Sequence, residues 1–259
     1  MHTELKGLVV RTVDIKESDR LLTIYTDKLG LITASAKGSR TLKSRKMPAT
    51  TQFCYSEFVL KSYGDKWMVS EASLIESFFG LRDSLEALSL AGYICEVVSE
   101  VGTAEPDEEL MRLALNSLYA LSHGSHEADI VKAAFEMRCA SVLGFMPDVH
   151  SCHKCDRTDA TSYYFNIMAG AIECYDCHKT SESEHVSLNE EHETHIVTLL
   201  TQGARIALEY TVLAPLQKLF SFKLSGEERR MFCEAAERYL LNHLERGFRS
   251  LDFYKEVTG

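Results

Sequence analysis

Nowhere in the 259 residues do 18 apolar residues run together, and the opening Met1-His2-Thr3-Glu4-Leu5-Lys6 lacks the apolar segment that a signal peptide needs. These absences exclude a membrane-spanning helix, and the chain reads as cytoplasmic. Nucleotide-binding signatures are missing too. There is no GxxxxGK[ST] and no GxGxxG, so neither nucleotide hydrolysis nor hydride transfer has support. His192-Glu193-Thr194-His195 sets its histidines three apart, whereas a zincin helix needs them four apart with the Glu beside the first. The deaminase pattern also fails, because neither Cys-x-x-Cys pair follows a proline. No repeat and no low-complexity tract is present. With 45% hydrophobic and 25% charged residues the chain can bury a sizeable core, which excludes disorder as its main state. The reading is of a protein that is not an enzyme and has no small-molecule substrate.

An overall positive charge is absent as well. Lys plus Arg number 28 against 38 Asp plus Glu, a formal net of -10, which over the whole chain argues against a polyanionic partner. Resolved by position, the charge is segregated. Residues 1–80 hold 12 basic and 9 acidic side chains, a net of +3, and the rest of the chain stands at -13. Such a split favours two domains with different partners.

The first 80 residues read as strands, because short runs rich in Val, Ile, Thr and Tyr are separated by turn residues. Five runs are expected: Leu5 to Ile15, Arg20 to Thr26, Leu31 to Ala36, Phe53 to Ser62 and Trp67 to Ile75. Five strands of this length fit an OB-fold, an SH3-like barrel or half a sandwich. From about Phe78 the period becomes helical: Leu81, Leu85, Leu88, Ala91, Cys95 and Val98 share one face. Leu110 to Leu121 and Val131 to Val142 repeat the pattern before Gly144 and Pro147 stop it. Further helices are signalled by two capping boxes, Ser187 with Glu190 and Ser225 with Glu228, and Gly247 is the expected stop of the last. Thr103 to Asp107 and Thr180 to Glu184 read as loops.

Four of the eight cysteines form Cys152-x2-Cys155 and Cys174-x2-Cys177, with 18 residues between the pairs. Each pair presents two thiolates from one tight turn, and two such knuckles face to face satisfy tetrahedral zinc. A disulfide reading is disfavoured for a cytoplasmic chain. Four thiolates close the coordination sphere, so His150, His153 and His178 are not needed as ligands, and one structural zinc ion is expected. The surrounding segment, 148–186, carries three basic residues against seven acidic ones, a net of -4 that repels phosphate. This ribbon therefore holds its domain together or meets a protein. Cys54, Cys95, Cys139 and Cys233 lie on apolar faces and read as buried small hydrophobes.

Between Asp27 and Glu57 there is no acidic residue, and within that gap Lys37, Arg40, Lys43, Arg45 and Lys46 place five cations in ten residues. Gly, Ser and Thr make this a loop able to follow a phosphate backbone, with Ser39, Thr41 and Ser44 as further donors. Charges elsewhere are screened beyond a Debye length of about 8–10 Å, so a bound strand feels the local +5. Five contacts to a single strand correspond to a salt slope of about -3.5. Tyr25, Phe53, Tyr55 and Trp67 are aromatics of the same domain that can stack on bases or fill its core. If the loop is incidental, the remaining reading is a zinc-ribbon regulatory or scaffold protein that acts only through protein partners.

These residues together resemble the RecO family of bacterial recombination mediators. The resemblance runs through Gly7 to Arg45, with Glu17, Asp19, Thr26, Gly30 and Lys37-Gly38-x-Arg40, then through Trp67-Met68-Val69-Ser70-Glu71 into Phe78 to Arg82. It continues in Phe135-Glu136-Met137-Arg138, Gly144-Phe145-Met146-Pro147 and the two Cys-x-x-Cys pairs, covering nearly the whole chain. Some members lack the cysteines, so zinc marks this branch of the family. The resemblance implies an α+β chain: an N-terminal five-stranded OB-fold barrel over 1–80 that binds DNA, then an all-α domain over 81–259 with the four-cysteine zinc ribbon inserted at about 148–186. It also implies a non-catalytic activity in DNA repair: annealing complementary single strands and, with RecR, helping load RecA onto DNA coated with single-strand-binding protein, SSB. The expected location is then the cytoplasm, in association with the nucleoid. On this view Lys37, Arg40, Lys43, Arg45 and Lys46 bind single- or double-stranded DNA, with Arg11 and Arg20 added on the barrel. Arg229, Arg230 and Arg238 are the cations assigned to the acidic tail of SSB.

Overall fold

Strand β1 (His2–Ile15) is long enough to serve two neighbours. Its first half pairs with β4 (Tyr55–Tyr63), setting Leu5 opposite Phe58, and its second half pairs with β2 (Asp19–Thr26), setting Asp14 opposite Arg20. A register shift between Val9 and Arg11 separates the two halves. Strand β3 (Gly30–Ala36) follows β2 antiparallel, and β5 (Lys66–Glu76) bridges β3 in parallel and β4 antiparallel. The sheet thus closes in the order β1-β2-β3-β5-β4, the arrangement of an OB-fold, and closure eliminates half a sandwich. Period-two alternation builds the interior: Leu22 with Ile24, Ala34 with Ala36, and Phe58 with Leu60 all point inward with Leu5, Val9 and Val69. Phe53 lies outside β4, because its φ of +73° turns the chain just before the strand.

The computed structural model describes residues 2–41, 43–64, 66–188 and 196–259, with the backbone alone for Tyr63 and residues 182–188. The change from strand to helix falls near residue 80, but packing divides the chain elsewhere, into Met1–Ala128 with Phe248–Gly259 and Asp129–Gly247. The reason lies in the contacts of helices α1 (Leu85–Val101) and α2 (Glu108–Ser122). The Tyr25 hydroxyl donates to Asp107 O and accepts from Asp107 N, and Leu31 N donates to Thr103 O at 2.7 Å. Helix α7 (Arg249–Thr258) adds to the same unit, with Ser250 N donating to Glu96 of α1.

Gly30 is where this packing is tightest. Its φ is +58°, and a Cβ there would stand 2.1 Å from Thr103 O. Gly38 has a φ of +64° with open space around it. Gly30→Ala should therefore lower unfolding free energy by about 3 kcal/mol or more, combining backbone strain with a backbone clash, whereas Gly38→Ala should cost only about 1 kcal/mol of strain. Urea unfolding of the two variants checks the ranking, and equal losses would contradict it.

The second unit opens with most of α3 (Ala128–Val142) and then forms a four-stranded sheet ordered β6-β8-β7-β9, from β6 (Asp148–Cys152), β7 (Ser162–Asn166), β8 (Ala171–Cys174) and β9 (Val197–Thr201). The ribbon therefore reaches past the expected 148–186 to include β9. Its apolar side, with Tyr163, Phe165, Ile172 and Leu200, is buried, and Phe165 packs on Tyr239 of α6 (Gly226–Leu244) at 5.2 Å. Thr180 to Glu184 is not a loop but part of α4 (Tyr175–Leu188), which puts Ser187 inside a helix. Glu190, its expected partner, lies outside the described residues, as does the His192–His195 run. Thr201 instead caps α5 (Gln202–Leu213), its hydroxyl accepting from Ala204 N. Ser225 does precede α6, yet its side chain makes no capping bond. Helix α6 stops before Gly247, because Glu245 takes the left-handed conformation with φ +52° and its N–H bonds Asn242 O.

Candidate nucleic-acid interface and metal centre

The basic loop leaves β3 at Ala36 and is held as a series of tight turns. Thr41 N donates to Gly38 O, Ser44 N to Thr41 O, Met47 N to Ser44 O and Thr50 N to Met47 O. Two bonds tie it to the start of β2. Gly38 N donates to Asp19 Oδ1 at 2.8 Å, and Arg40 N donates to Ser18 O at 3.0 Å. The Gly38 amide holds the Asp19 carboxyl below its ordinary range. Ser39 is fully buried with its hydroxyl on Ala36 O, and Thr41 donates to Gly38 O, so these hydroxyls serve the loop itself.

The cations divide by their partners. Lys37, Arg40, Lys43 and Arg45 are exposed, as is Arg11 on β1 after the register shift. Arg20 and Arg40 meet at one carboxylate, with Arg20 Nε 3.1 Å from Asp14 Oδ1 and Arg40 Nε 3.2 Å from Asp14 Oδ2. Arg40 Nη1 also donates to Lys16 O and Glu17 O, each at 3.3 Å. Lys46 is half-buried and donates to Lys37 O at 3.0 Å and Val69 O at 3.5 Å. Of the aromatics, Tyr25 and Phe53 are buried and Trp67 packs against the barrel interior, so they fill the core rather than offer faces to bases.

Among the described residues, four cysteines converge as a metal-ligand set. Cys152 ends β6, Cys155 stands in the turn after it, Cys174 ends β8 and Cys177 lies in the first turn of α4. All four sulfurs lie within 4.8 Å of one another, with Cys155 and Cys174 at 3.7 Å. Zinc with Zn–S bonds of about 2.3 Å sets tetrahedral sulfurs about 3.8 Å apart, so the spacing fits. The donor chemistry agrees. Burial opposes a charge on Cys152, but the amides of Cys174, Lys154 and Cys155 donate to its sulfur and bring the thiol down to about 6. Side-chain hydrogen bonds with Cys155 and Cys174 push the Cys177 thiol up to about 12. The neighbouring histidines turn elsewhere. His153 and His178 both face Glu173, at 3.4 and 3.3 Å, and His150 faces Glu209.

On α6, each cation assigned to an acidic partner already faces a carboxylate. Arg229 makes a two-pronged bond to Asp129, Arg230 stands 3.6 Å from Glu227, and Arg238 stands 2.9 Å from Glu234. Sequence reasoning missed the acids that organise these sites, Asp14 between two arginines and Glu173 among His153, Lys154 and His178. The hairpin register that sets Asp14 opposite Arg20 was the available signal. Among the described residues no helix is long and apolar enough to cross a membrane.

Two family models match the chain, one described as Recombination protein O N terminal over residues 1–78 and one as Recombination protein O C terminal over residues 82–252. The DNA repair protein RecO of Acetivibrio thermocellus is 34% identical over 257 residues, which cover 99% of this chain and 97% of that protein. The DNA repair protein RecO of Caldicellulosiruptor saccharolyticus is 28% identical over 97% of both chains. That of Alkaliphilus metalliredigens is 27% identical over 99% of this chain and all of its own length.

Proposed function

The chain belongs to the RecO family, and from that premise we propose that it acts in DNA repair and recombination as a non-catalytic mediator that binds DNA through its barrel. The carrying observation is the basic loop, whose exposed cations sit on a framework of turns tied to β2. The combined positive charge of Lys37, Arg40, Lys43, Arg45 and Lys46, with Arg11 and Arg20 beside them, attracts a phosphate backbone, and charge-assisted hydrogen bonds from members of this set hold it. Neutralising phosphates on two strands lowers their mutual repulsion, which is the physical basis for annealing complementary single strands. Bases are not read by this surface, so binding is independent of sequence and extends to duplex DNA.

In this reading the four cysteines hold one zinc ion, which cross-links the two knuckles and leaves no open position for water. Cys152 and Cys174 anchor it from the ends of two strands and Cys177 from a helix, so its role is to hold the ribbon together. The partners are RecR, SSB and, through them, RecA. Engagement of the SSB tail by Arg229, Arg230 and Arg238 is an exchange reaction, in which tail carboxylates displace Asp129, Glu227 and Glu234.

The direct test measures annealing of two complementary oligonucleotides coated with SSB. The full chain should accelerate annealing without nucleotide hydrolysis and should be retained on single-stranded DNA at low salt. Failure of both would leave the zinc-ribbon scaffold reading, in which only proteins are bound.

A further inference from the structure

We infer that the cations of the barrel divide into two classes, and that Asp14 is a positioning residue which uses Arg20 and Arg40 to hold the loop while Lys37, Lys43, Arg45 and Arg11 contact phosphate. The inference rests on the DNA-binding reading above and assigns roles within it.

Donor use separates the classes. Arg40 places Nε on Asp14 and Nη1 on Lys16 O and Glu17 O, and Arg20 places Nε on Asp14 and reaches Thr50 O with Nη1. Lys46 likewise donates to Lys37 O and Val69 O. These bonds join β1, the turn into β2 and both ends of the basic loop. The Arg20 side chain is only 20% exposed, whereas Arg40 is exposed and is set apart by its bonds alone. Lys43 and Arg45, by contrast, are exposed and form no ion pair among the described residues.

An acid inside a phosphate-binding surface ordinarily weakens it by repulsion. Asp14 has the opposite expected sign here, because the order it imposes on Arg40 and the loop outweighs one half-exposed charge. Asp14→Asn removes that charge with little change in shape, so the direction of the effect separates the two roles.

The probe is a labelled thirty-nucleotide oligothymidylate, with affinity followed by anisotropy between about 50 and 200 mM salt. At about -0.7 per phosphate contact on single strands, four contacts give a slope near -2.8 and about a fiftyfold loss over that range. Seven contacts would give about -4.9 and nearly a thousandfold loss. Lys43→Ala and Arg45→Ala should each shallow the slope by about 0.7, whereas Arg40→Ala should weaken binding with the slope unchanged. Asp14→Asn should weaken binding by roughly three- to tenfold at constant slope, and amide exchange at Gly38 and Arg40 should accelerate in the free protein. Tighter binding by Asp14→Asn, unchanged exchange at those amides, or a shallower slope for Arg40→Ala would each overturn the division. Absence of binding by the unaltered chain would overturn the DNA reading and this inference with it.

Discussion

Replacing Lys37, Lys43 and Arg45 together by glutamate should abolish measurable binding to single-stranded DNA near 0.1 M salt. Each lost phosphate contact removes about 0.7 log unit of affinity per tenfold of salt below 1 M, so three contacts account for a loss of roughly a hundredfold. Repulsion from three new carboxylates facing the same phosphates adds to this and carries binding beyond detection at micromolar protein. The substitutions leave in place the bonds that shape the loop, from Gly38 N to Asp19, from Arg40 to Asp14 and from Lys46 Nζ to Lys37 O, the last accepted by a backbone carbonyl. The unfolding midpoint should therefore stay near that of the parent chain. Reversing Arg40 and Lys46 as well should abolish binding equally but also lower the midpoint, because both side chains bond backbone carbonyls across the loop. Retained affinity in the triple variant would remove the loop from the DNA surface.

The second large effect concerns the metal centre. Cys174→Ser should reduce zinc from one ion per chain to nearly none, measured by atomic emission on protein purified without added metal. Cys174 is fully buried at the end of β8, where Cys177 N and the other three sulfurs surround it, so a hydroxyl restores neither the charge nor the bond length. Metal binding to four-thiolate sites is worth on the order of 10 kcal/mol and couples directly to folding. Loss of one ligand should accordingly expose the amides of β6, β7 and β8 to rapid hydrogen exchange. Exchange in β1 to β5 should be unchanged, because those strands belong to the other compact unit and owe their interior to Leu22, Ile24, Phe58 and Leu60. A variant that keeps its zinc and its protection in β8 would show that the thiolates are not the ligands.

Much of this architecture is legible in the sequence. Alternating burial is a local property of a strand, so the inward pairs Leu22 with Ile24 and Phe58 with Leu60 carried the five strands. The metal set was equally legible, since a Cys-x-x-Cys knuckle is a local turn and its chemistry follows from residue type. The failures were of another kind. Thr180 to Glu184 is polar and reads as a loop, but it continues the helix that Cys177 begins. Val197 to Thr201 has little pattern of its own and becomes a strand because β7 offers it a free edge. Thr103 to Asp107 is a loop, as expected, yet the barrel's Tyr25 and Leu31 bind it, which moves the packing boundary to Ala128.

What the sequence determined by itself, then, is the set of elements and the chemistry they carry: a strand-rich basic part, a helical acidic part, four thiols in metal-binding spacing, and a cluster of cations on a loop. These follow from side-chain type and short-range periodicity, which need no partner. How each charged group is used is fixed only by the three-dimensional packing. Whether Arg40 faces a phosphate or Asp14, and whether Arg229 awaits a ligand or grips Asp129 a hundred positions away in the chain, depends on which carboxylate the fold brings within about 3 Å. Electrostatic contacts act at short range through space and are indifferent to sequence separation, so a count of charges along the chain locates a surface without assigning the role of any one residue on it.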